Sequence, residues 1–250
     1  MVNFIGAGPG DPELITVKGK RLIEEADIVI YAGSLVNKAL LSYAKKDCSI
    51  YNSAEMTLEE VIVVMEQGVS QNKKVARVHT GDPSIFGAIR EQMDELDKRG
   101  ITYEVVPGVS SFLATAAALK KEYTLPGVTQ TVILTRMEGR TEVPGKESIE
   151  TLAAHNATMI IFLSVGMIEQ LVDKLKAGYT LDTPIAVVYK ASWPEQKIVQ
   201  GTLENIADKV KEEGIKKTAL VVVGNFLGND YELSKLYDKS FTHEFRSAKE

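Results

Sequence analysis

The chain opens with VNFIGAGPGDP at residues 2–12, a short apolar strand that runs directly into a loop rich in glycine and proline. Glycine in such a loop lets a ligand approach the backbone and leaves amide N–H groups accessible. The same order of strand, loop and helix recurs along the 250 residues. This alternation is typical of α/β proteins with mostly parallel sheets flanked by helices. The opening stretch therefore predicts an α/β fold with functional loops at the strand ends.

The alternation divides the chain into two α/β domains. A turn-rich stretch at residues 123–128 interrupts it, and it restarts with a strand-like run at 131–135. The length is compatible with one large domain or two modest ones. We therefore predict an N-terminal domain at residues 1–120, which carries the GAGPG and TGDP loops, and a C-terminal domain at residues 121–250.

Composition and charge exclude several classes of protein. The 29 Lys and Arg residues against 34 Asp and Glu residues give a net charge of −5, which argues against a general nucleic-acid binder. Cys48 is the single cysteine, so the chain has neither an intrachain disulfide nor a Cys-based zinc cluster, and we expect no metal. No apolar run approaches the roughly 20 residues that span a bilayer, and no signal peptide is recognisable. We expect a cytoplasmic protein with no nucleic-acid or membrane partner.

Local signals place helices between the strands. Thr57 and Glu60 form a capping-box pattern ahead of an apolar stripe at residues 58–65, which predicts a helix. Apolar residues at helical spacing within 35–43 predict another. Asp82 is a helix-capping residue type at the end of a strand, and this structural role requires no ligand.

Three loops follow apolar strands and combine glycine with polar side chains. They are GAGPGDP at 6–12, TGDPSIFG at 80–87 and PGVSS at 107–111. Ligands of open α/β sheets bind at the carboxyl ends of the strands, so three such loops predict a shared cleft rather than three independent turns. A P-loop is disfavoured because no lysine follows the glycines.

Two other classes of function stay as alternatives. A nucleotide-dependent oxidoreductase needs the fingerprint G-x-G-x-x-G, but Asp11 stands where the third glycine belongs. The acidic residue that would bind the ribose is also missing after the second strand, which runs into Tyr31-Ala32-Gly33-Ser34. The second alternative is a ligand-binding module without catalytic activity.

These stretches resemble the tetrapyrrole methylase family, the S-adenosylmethionine-dependent enzymes of cobalamin and sirohaem synthesis. The likeness covers nearly the whole chain, through GAGPGDPELIT, TGDPSIFG, VPGVSSF, IIFLSVGM and TALVVVG. YAGSLV at 31–36, HTGDPSIFGAIREQM from 79 and TRMEGRTEVP from 135 most resemble the members that methylate C-11 of precorrin-4 or cobalt-precorrin-4. The alternative within the family is a member that acts on another ring position or on a substrate other than a tetrapyrrole.

The resemblance implies a homodimer with a cofactor site between two α/β domains, in which S-adenosylmethionine is converted to S-adenosylhomocysteine. The residues that it assigns to the cofactor are Pro9, Thr80, Gly81, Asp82, Ile85, Ser110, Ser111, Leu163 and Ala191. Apolar Ile85 and Leu163 suit adenine, while Asp82 offers polar contacts. We expect methyl transfer by in-line displacement, in which the protein chiefly orients its two reactants, and we identify no catalytic residue.

The resemblance also implies that the substrate is a polycarboxylate. Arginine pairs bidentately with carboxylates, so Arg136, in the loop after the first strand of the second domain, is the leading candidate. The further substrate candidates are His79, Tyr31, Ser34 and Met56. Structural packing or a solvated loop charge is the alternative for these residues. Trp193, which precedes Pro194, is either an aromatic wall of the site or a packing residue.

Overall fold

The structure is a computed structural model that describes residues 1–248, with the side chain of Ser34 outside the description. The chain forms two compact units. The first comprises Met1–Ala118 together with Lys190–Lys197, and the second comprises Leu119–Tyr189 and Ile198–Glu250. Each unit contains a five-stranded sheet with helices. The predicted α/β fold with two domains is confirmed, and Lys190–Lys197 packs with the first unit despite its late position in the chain.

The first unit contains a parallel sheet in the order β3-β2-β4-β1-β5. Its strands are β1 (Val2–Gly6), β2 (Ile28–Tyr31), β3 (Ser49–Asn52), β4 (Val75–His79) and β5 (Tyr103–Val106). Its helices are α1 (Val17–Glu25), α2 (Leu58–Ser70), α3 (Arg90–Lys98) and α4 (Ser111–Leu119). Successive side chains of β1 enter different apolar clusters, Phe4 with α2 and α3 and Ile5 with α1. Helices therefore cover both faces, as a parallel sheet requires.

Polar caps fix the beginnings of two helices. The Thr16 hydroxyl accepts a hydrogen bond from Gly19 N–H at 3.1 Å and caps α1. Thr57 and Glu60 form the predicted capping box of α2, with the Thr57 N–H donating to the Glu60 carboxylate at 2.7 Å. Each cap satisfies amide groups that the first helical turn leaves without partners.

Two helix predictions are wrong in detail. The segment Lys38–Tyr43 is a 3₁₀ helix rather than an α-helix. The Ser42 hydroxyl donates to the Ala39 carbonyl at 2.7 Å, which competes with the α-helical pairing of that carbonyl. Asp82 caps no α-helix, since α3 begins only at Arg90. The intervening loop contains Phe86 and Ala88 at positive φ, a conformation that interrupts a right-handed helix.

The second unit contains a mixed sheet in the order β6-β7-β10-β8-β9. Its strands are β6 (Val132–Arg136), β7 (Thr158–Phe162), β8 (Pro184–Tyr189), β9 (Lys197–Thr202) and β10 (Ala219–Val223). Strands β6 and β7 are parallel, whereas β10 runs antiparallel to both β7 and β8. The expectation of mostly parallel sheets therefore holds for the first unit but not for the pairings of β10. A continuous apolar run indicates a strand buried on both faces, and this pattern carries no information on direction.

Helices α5 (Ile149–Ala153), α6 (Ile168–Leu175) and α7 (Ile206–Glu212) contribute apolar side chains to one core with β7, β8 and β10. A buried hydrogen bond in this unit runs from the Thr158 hydroxyl to the Tyr123 carbonyl at 2.8 Å. Within residues 1–248, no helix has both the length and the apolar character needed to cross a membrane.

Candidate functional site

Three glycine loops meet at the carboxyl ends of β1, β4 and β5 in the first unit. The backbones of Gly8 and Gly81 exchange hydrogen bonds, with N···O distances of 3.3 and 2.9 Å. A Cβ atom on Gly108 would lie 2.2 Å from the Gly81 oxygen and 2.7 Å from the Gly6 Cα. Only glycine allows so close an approach of the three loops. The three loops therefore meet, and the ligand cleft that we expect between them stays a prediction.

Asp82 connects two of the loops through its carboxylate. One oxygen accepts hydrogen bonds from the N–H and the hydroxyl of Ser84, and the other accepts from the Gly108 N–H at 2.8 Å. Partial burial alone would raise the pKa of Asp82, but these hydrogen bonds outweigh that effect and hold the pKa below its usual range. Asp82 is therefore a carboxylate that fixes the shape of the site.

Thr80 carries a polar atom whose hydrogen-bonding capacity is unused. Its hydroxyl oxygen is buried and has no hydrogen-bond partner. Ser110 is buried. It lies next to Gly81, where an added Cβ would stand 3.3 Å from the Ser110 Cα. Ser111 begins α4, and Ile85 is half-buried in the turn after Asp82. The cofactor candidates of the first unit thus lie on the loops that converge or directly beside them.

The Pro9 loop is held by side chains from distant parts of the sequence. The Trp193 indole N–H donates to the Pro9 carbonyl at 2.9 Å, and the Asp11 N–H donates to the Ser192 hydroxyl at 3.0 Å. The Asn37 amide donates to the Gly10 carbonyl at 2.8 Å. Ala191 directly precedes Ser192 in the sequence and is buried. Trp193 therefore packs on the glycine loop from the segment between β8 and β9, and its role as an aromatic wall of the site is not tested.

His79 and Arg77 share one face of β4 and are both buried. His79 is 3% exposed, and its Nε2 atom has no partner. Burial, together with the positive charge of Arg77, lowers the pKa of His79 to about 3, so the imidazole is neutral at pH 7. The Arg77 guanidinium donates to the Gln92 side chain at 2.9 Å and to the Ile30 carbonyl at 3.3 Å. Burial lowers the pKa of Arg77 to about 10, still far above neutrality.

Two candidates belong to the second unit. Arg136 is the last residue of β6 and not the loop residue that the sequence predicted, because it still pairs with Phe162 of β7. Its guanidinium donates to the carbonyls of Met137, Thr141 and Glu142, so it orders the loop that follows β6. Leu163 follows β7 with a φ of 55° and an exposed fraction of 66%. An exposed large apolar side chain on a strained backbone points to a functional position.

The remaining substrate candidates pack in two apolar clusters. Tyr31 is buried in the cluster that contains α1 residues and Ala7 of the first glycine loop, whereas Met56 packs against the cluster beneath α2 and α3. Ser34 lies in a short 3₁₀ turn, and its side chain is outside the described part of the structure. The structure brings neither Tyr31 nor Met56 into the contacts that join the three loops.

Several residues of the site were not identified from the sequence. Arg77 had a usable signal, since its place between Val75 and His79 in a buried strand puts it on an interior face. Ser192 and Asn37 had none, because their partners lie 181 and 27 residues away. Pairs that distant are created by the fold and leave no local pattern.

The fold and the loops together define an α/β protein of two units, with glycine loops that meet at the strand ends of the first sheet. The family model for tetrapyrrole (corrin/porphyrin) methylases matches residues 1–207. The chain belongs to this family.

The similar proteins include enzymes of cobalamin synthesis. One is the cobalt-precorrin-4 C(11)-methyltransferase of Methanocaldococcus jannaschii, 62% identical over 99% of this chain and 96% of its own length. The crystal structure of a cobalt-precorrin-4 methyltransferase matches with a TM-score of 0.89 and 46% identity, over 91% of this chain and 96% of its own. The uroporphyrin-III C-methyltransferase of Thermus thermophilus, solved with S-adenosylhomocysteine, matches with a TM-score of 0.75 and 28% identity, over 90% and 98% of the respective chains.

Proposed function

We propose that this protein transfers a methyl group from S-adenosylmethionine to C-11 of cobalt-precorrin-4 in cobalamin synthesis. The observation that carries the proposal is the 62% identity, over nearly the full length of both chains, to an enzyme of that name. The products are S-adenosylhomocysteine and the C-11-methylated macrocycle.

The glycine loops suit a sulfonium cofactor by their charge. Residues 6–12, 80–85 and 107–111 contain the carboxylates Asp11 and Asp82 but no Lys or Arg. A pyrophosphate would lack a cationic partner on these loops, whereas a positively charged sulfonium would not be repelled. The buried Thr80 hydroxyl, which has no partner within the protein, offers a hydrogen bond to a polar group of the cofactor.

The cofactor, when bound, supplies an electrophilic methyl group. The chain contributes position: the backbone of the glycine loops binds, and Asp82 holds two of these loops together. Ser110 and Ser111 offer hydroxyls at the start of α4, and Ile85 offers an apolar surface for adenine. Ala191 and Leu163 are the further contacts that we assign to the cofactor. Correct orientation of two reactants can contribute roughly 7–11 kcal/mol to a reaction of this type.

The substrate contacts divide between charged and neutral groups. Arg136 is the cation that we assign to a carboxylate of the macrocycle, and the loop after β6 already holds its guanidinium in a defined direction. After Arg136, the further residues that we assign to contact with the substrate are His79, Tyr31, Ser34 and Met56. Because its pKa is so low, His79 would act as a neutral hydrogen-bonding group and not as a cation.

We further propose that the protein is a homodimer in the cytoplasm. The proposal rests on the resemblance to the family described above. Light scattering coupled to size-exclusion chromatography would test the dimer, because one chain has a mass of 27.4 kDa. A particle with the mass of one chain at micromolar concentration would contradict the dimer.

The decisive experiment is incubation with ¹³C-methyl-labelled S-adenosylmethionine and cobalt-precorrin-4, followed by NMR. The expected result is a single new methyl signal correlated with C-11. A label at another ring carbon would refute the position while preserving the methyltransferase. Failure of the protein to bind S-adenosylhomocysteine in calorimetry, combined with tight binding of NAD, would contradict the methyltransferase and favour an oxidoreductase.

A further inference from the structure

The segment Lys190–Lys197 packs with the first unit, although the strands before and after it belong to the second sheet. Its backbone is strained at two places, because Lys190 and Ser192 have φ values of 47° and 70°. A residue other than glycine keeps such a conformation only where its surroundings hold it. The contacts of the segment must therefore hold these two residues in their strained conformation.

Side chains hold the backbone of three consecutive residues in the glycine loop. Trp193 binds the Pro9 carbonyl, Ser192 accepts from the Asp11 N–H, and Asn37 binds the Gly10 carbonyl between them. Two of these three hydrogen bonds come from the strained segment. The loop at Pro9–Asp11 is thus fixed by side chains and not by regular secondary structure.

The Trp193 indole also lies against Gly10. A Cβ atom on Gly10 would stand 1.9 Å from Cδ1 and 2.0 Å from Nε1 of the indole, so this contact requires glycine. The Lys190 ammonium is 4.8 Å from the centre of the Trp193 ring and 3.6 Å from the Glu195 carboxylate. A cation at this distance from an aromatic ring is attracted to it, which helps to orient the indole.

We propose that Trp193 is a positioning residue that keeps the Pro9–Asp11 loop in its cofactor-binding conformation. The proposal rests on the methyltransferase function, in which this loop binds S-adenosylmethionine. Without the indole, the loop populates other conformations, and the apparent affinity falls by the fraction that remains competent. The loss should appear in KM for the methyl donor and in Kd for S-adenosylhomocysteine, while kcat at saturating donor changes little.

Two variants separate the roles of the indole. Trp193→Phe keeps a ring against Gly10 and removes the N–H donor, so Kd should rise by about 3- to 10-fold, as expected for one hydrogen bond. Trp193→Ala removes both contacts and should raise Kd by at least about 10-fold. The control is Tyr237→Ala, which deletes an aromatic side chain that is 82% exposed. Its Kd should equal that of the wild type.

A double-mutant cycle tests the contact itself. Gly10→Ala should displace the indole and raise Kd on its own, but it should add nothing in the Trp193→Ala background. Trp193 is the single tryptophan of the chain, so its fluorescence should report the displacement in Gly10→Ala before any ligand is added. Independent, multiplicative effects of the two substitutions would overturn the proposal, because they would show that the residues do not act through one contact.

The outcomes distinguish this inference from the function on which it rests. If wild-type protein does not bind S-adenosylhomocysteine, the proposed function fails. If wild-type protein binds it and folded Trp193→Ala binds it equally well, only the positioning role fails. A kcat that falls with unchanged KM would also overturn the role. Circular dichroism and the thermal midpoint establish that each variant is folded before its affinity is compared.

Discussion

The Gly108 N–H donates a hydrogen bond to the Asp82 carboxylate at 2.8 Å, so a side chain after β4 holds the backbone after β5. The two loops have no helix or sheet pairing with each other at this point. Their relative position depends on one charged acceptor and on the absence of side chains at the glycines. Both conditions are open to experiment.

The substitution Asp82→Asn tests the charged acceptor. An amide has a single acceptor oxygen and cannot accept from Ser84 on one side and from Gly108 on the other, so one of these two N–H groups loses its partner. We expect a loss of about 1–3 kcal/mol in the free energy of unfolding and weaker binding of S-adenosylhomocysteine.

Asp238 provides a matched control for Asp82. It accepts from the N–H and the hydroxyl of Ser240 in the same local pattern, at 2.9 and 2.8 Å. Asp238→Asn should leave urea denaturation and calorimetric affinity unchanged. If the two substitutions lowered stability and affinity equally, the hydrogen bond from Gly108 to Asp82 would not be what joins the two loops.

The substitution Gly108→Ala tests the close approach of the loops. The added methyl would lie 2.2 Å from the Gly81 oxygen, and backbone cannot move aside as a flexible side chain can. We expect a lower thermal midpoint and loss of cofactor affinity by at least about tenfold. Gly145→Ala is the control, since nothing lies within 4 Å of the position that its added methyl would take. A Gly108→Ala variant that behaves like Gly145→Ala would contradict the tight junction of the three loops.

The substitution Thr80→Val tests whether the buried hydroxyl serves a ligand. Valine has nearly the same shape, and the hydroxyl has no partner within the protein, so stability should stay the same or rise. Affinity for S-adenosylhomocysteine should fall about 3- to 10-fold, the effect of one hydrogen bond. Thr115→Val removes another buried hydroxyl without a partner and should leave affinity unchanged. The idea fails if calorimetry gives the same Kd for both variants.

The low pKa of His79 predicts a specific loss of stability in acid. Below the ordinary value of 6.5 the unfolded chain binds a proton at His79, whereas the folded protein does so only near pH 3. As the pH falls from 6.5 to about 3, the free energy of unfolding should therefore decrease by up to about 1.4 kcal/mol per pH unit. His79→Gln should remove this part of the slope in urea titrations, and His155→Gln, at an exposed position, should not. An unchanged slope in His79→Gln would rule out the buried neutral imidazole.

The sequence was sufficient for the general fold and for the glycine loops. The capping box at Thr57 and Glu60 and the convergence of the loops at Gly8, Gly81 and Gly108 followed from local signals and from one rule about parallel strands. Each of these features depends on a few neighbouring residues or on a general property of the fold. Prediction succeeds where the cause is local.

Other features depend on contacts that local patterns do not encode. The direction of β10 is set by its neighbours β7 and β8, because Ala219–Val223 would be equally apolar in either direction. Arg136 was predicted from charge alone, and its three carbonyl partners follow from the path of the loop after β6. The packing of Trp193 on Gly10 was one of its two interpretations and became known only from the fold.

The path of the chain limits how this protein can be divided. Because Lys190–Lys197 packs with Met1–Ala118, the polypeptide passes from one unit to the other three times. A fragment truncated after residue 118 would keep all five strands of the first sheet but lose the indole and the hydroxyl that bind Pro9 and Asp11. Insertions into the 190–197 loop, although far along the gene, would alter the first glycine loop. Any fusion or split-protein design must treat these eight residues as an inseparable part of the N-terminal half.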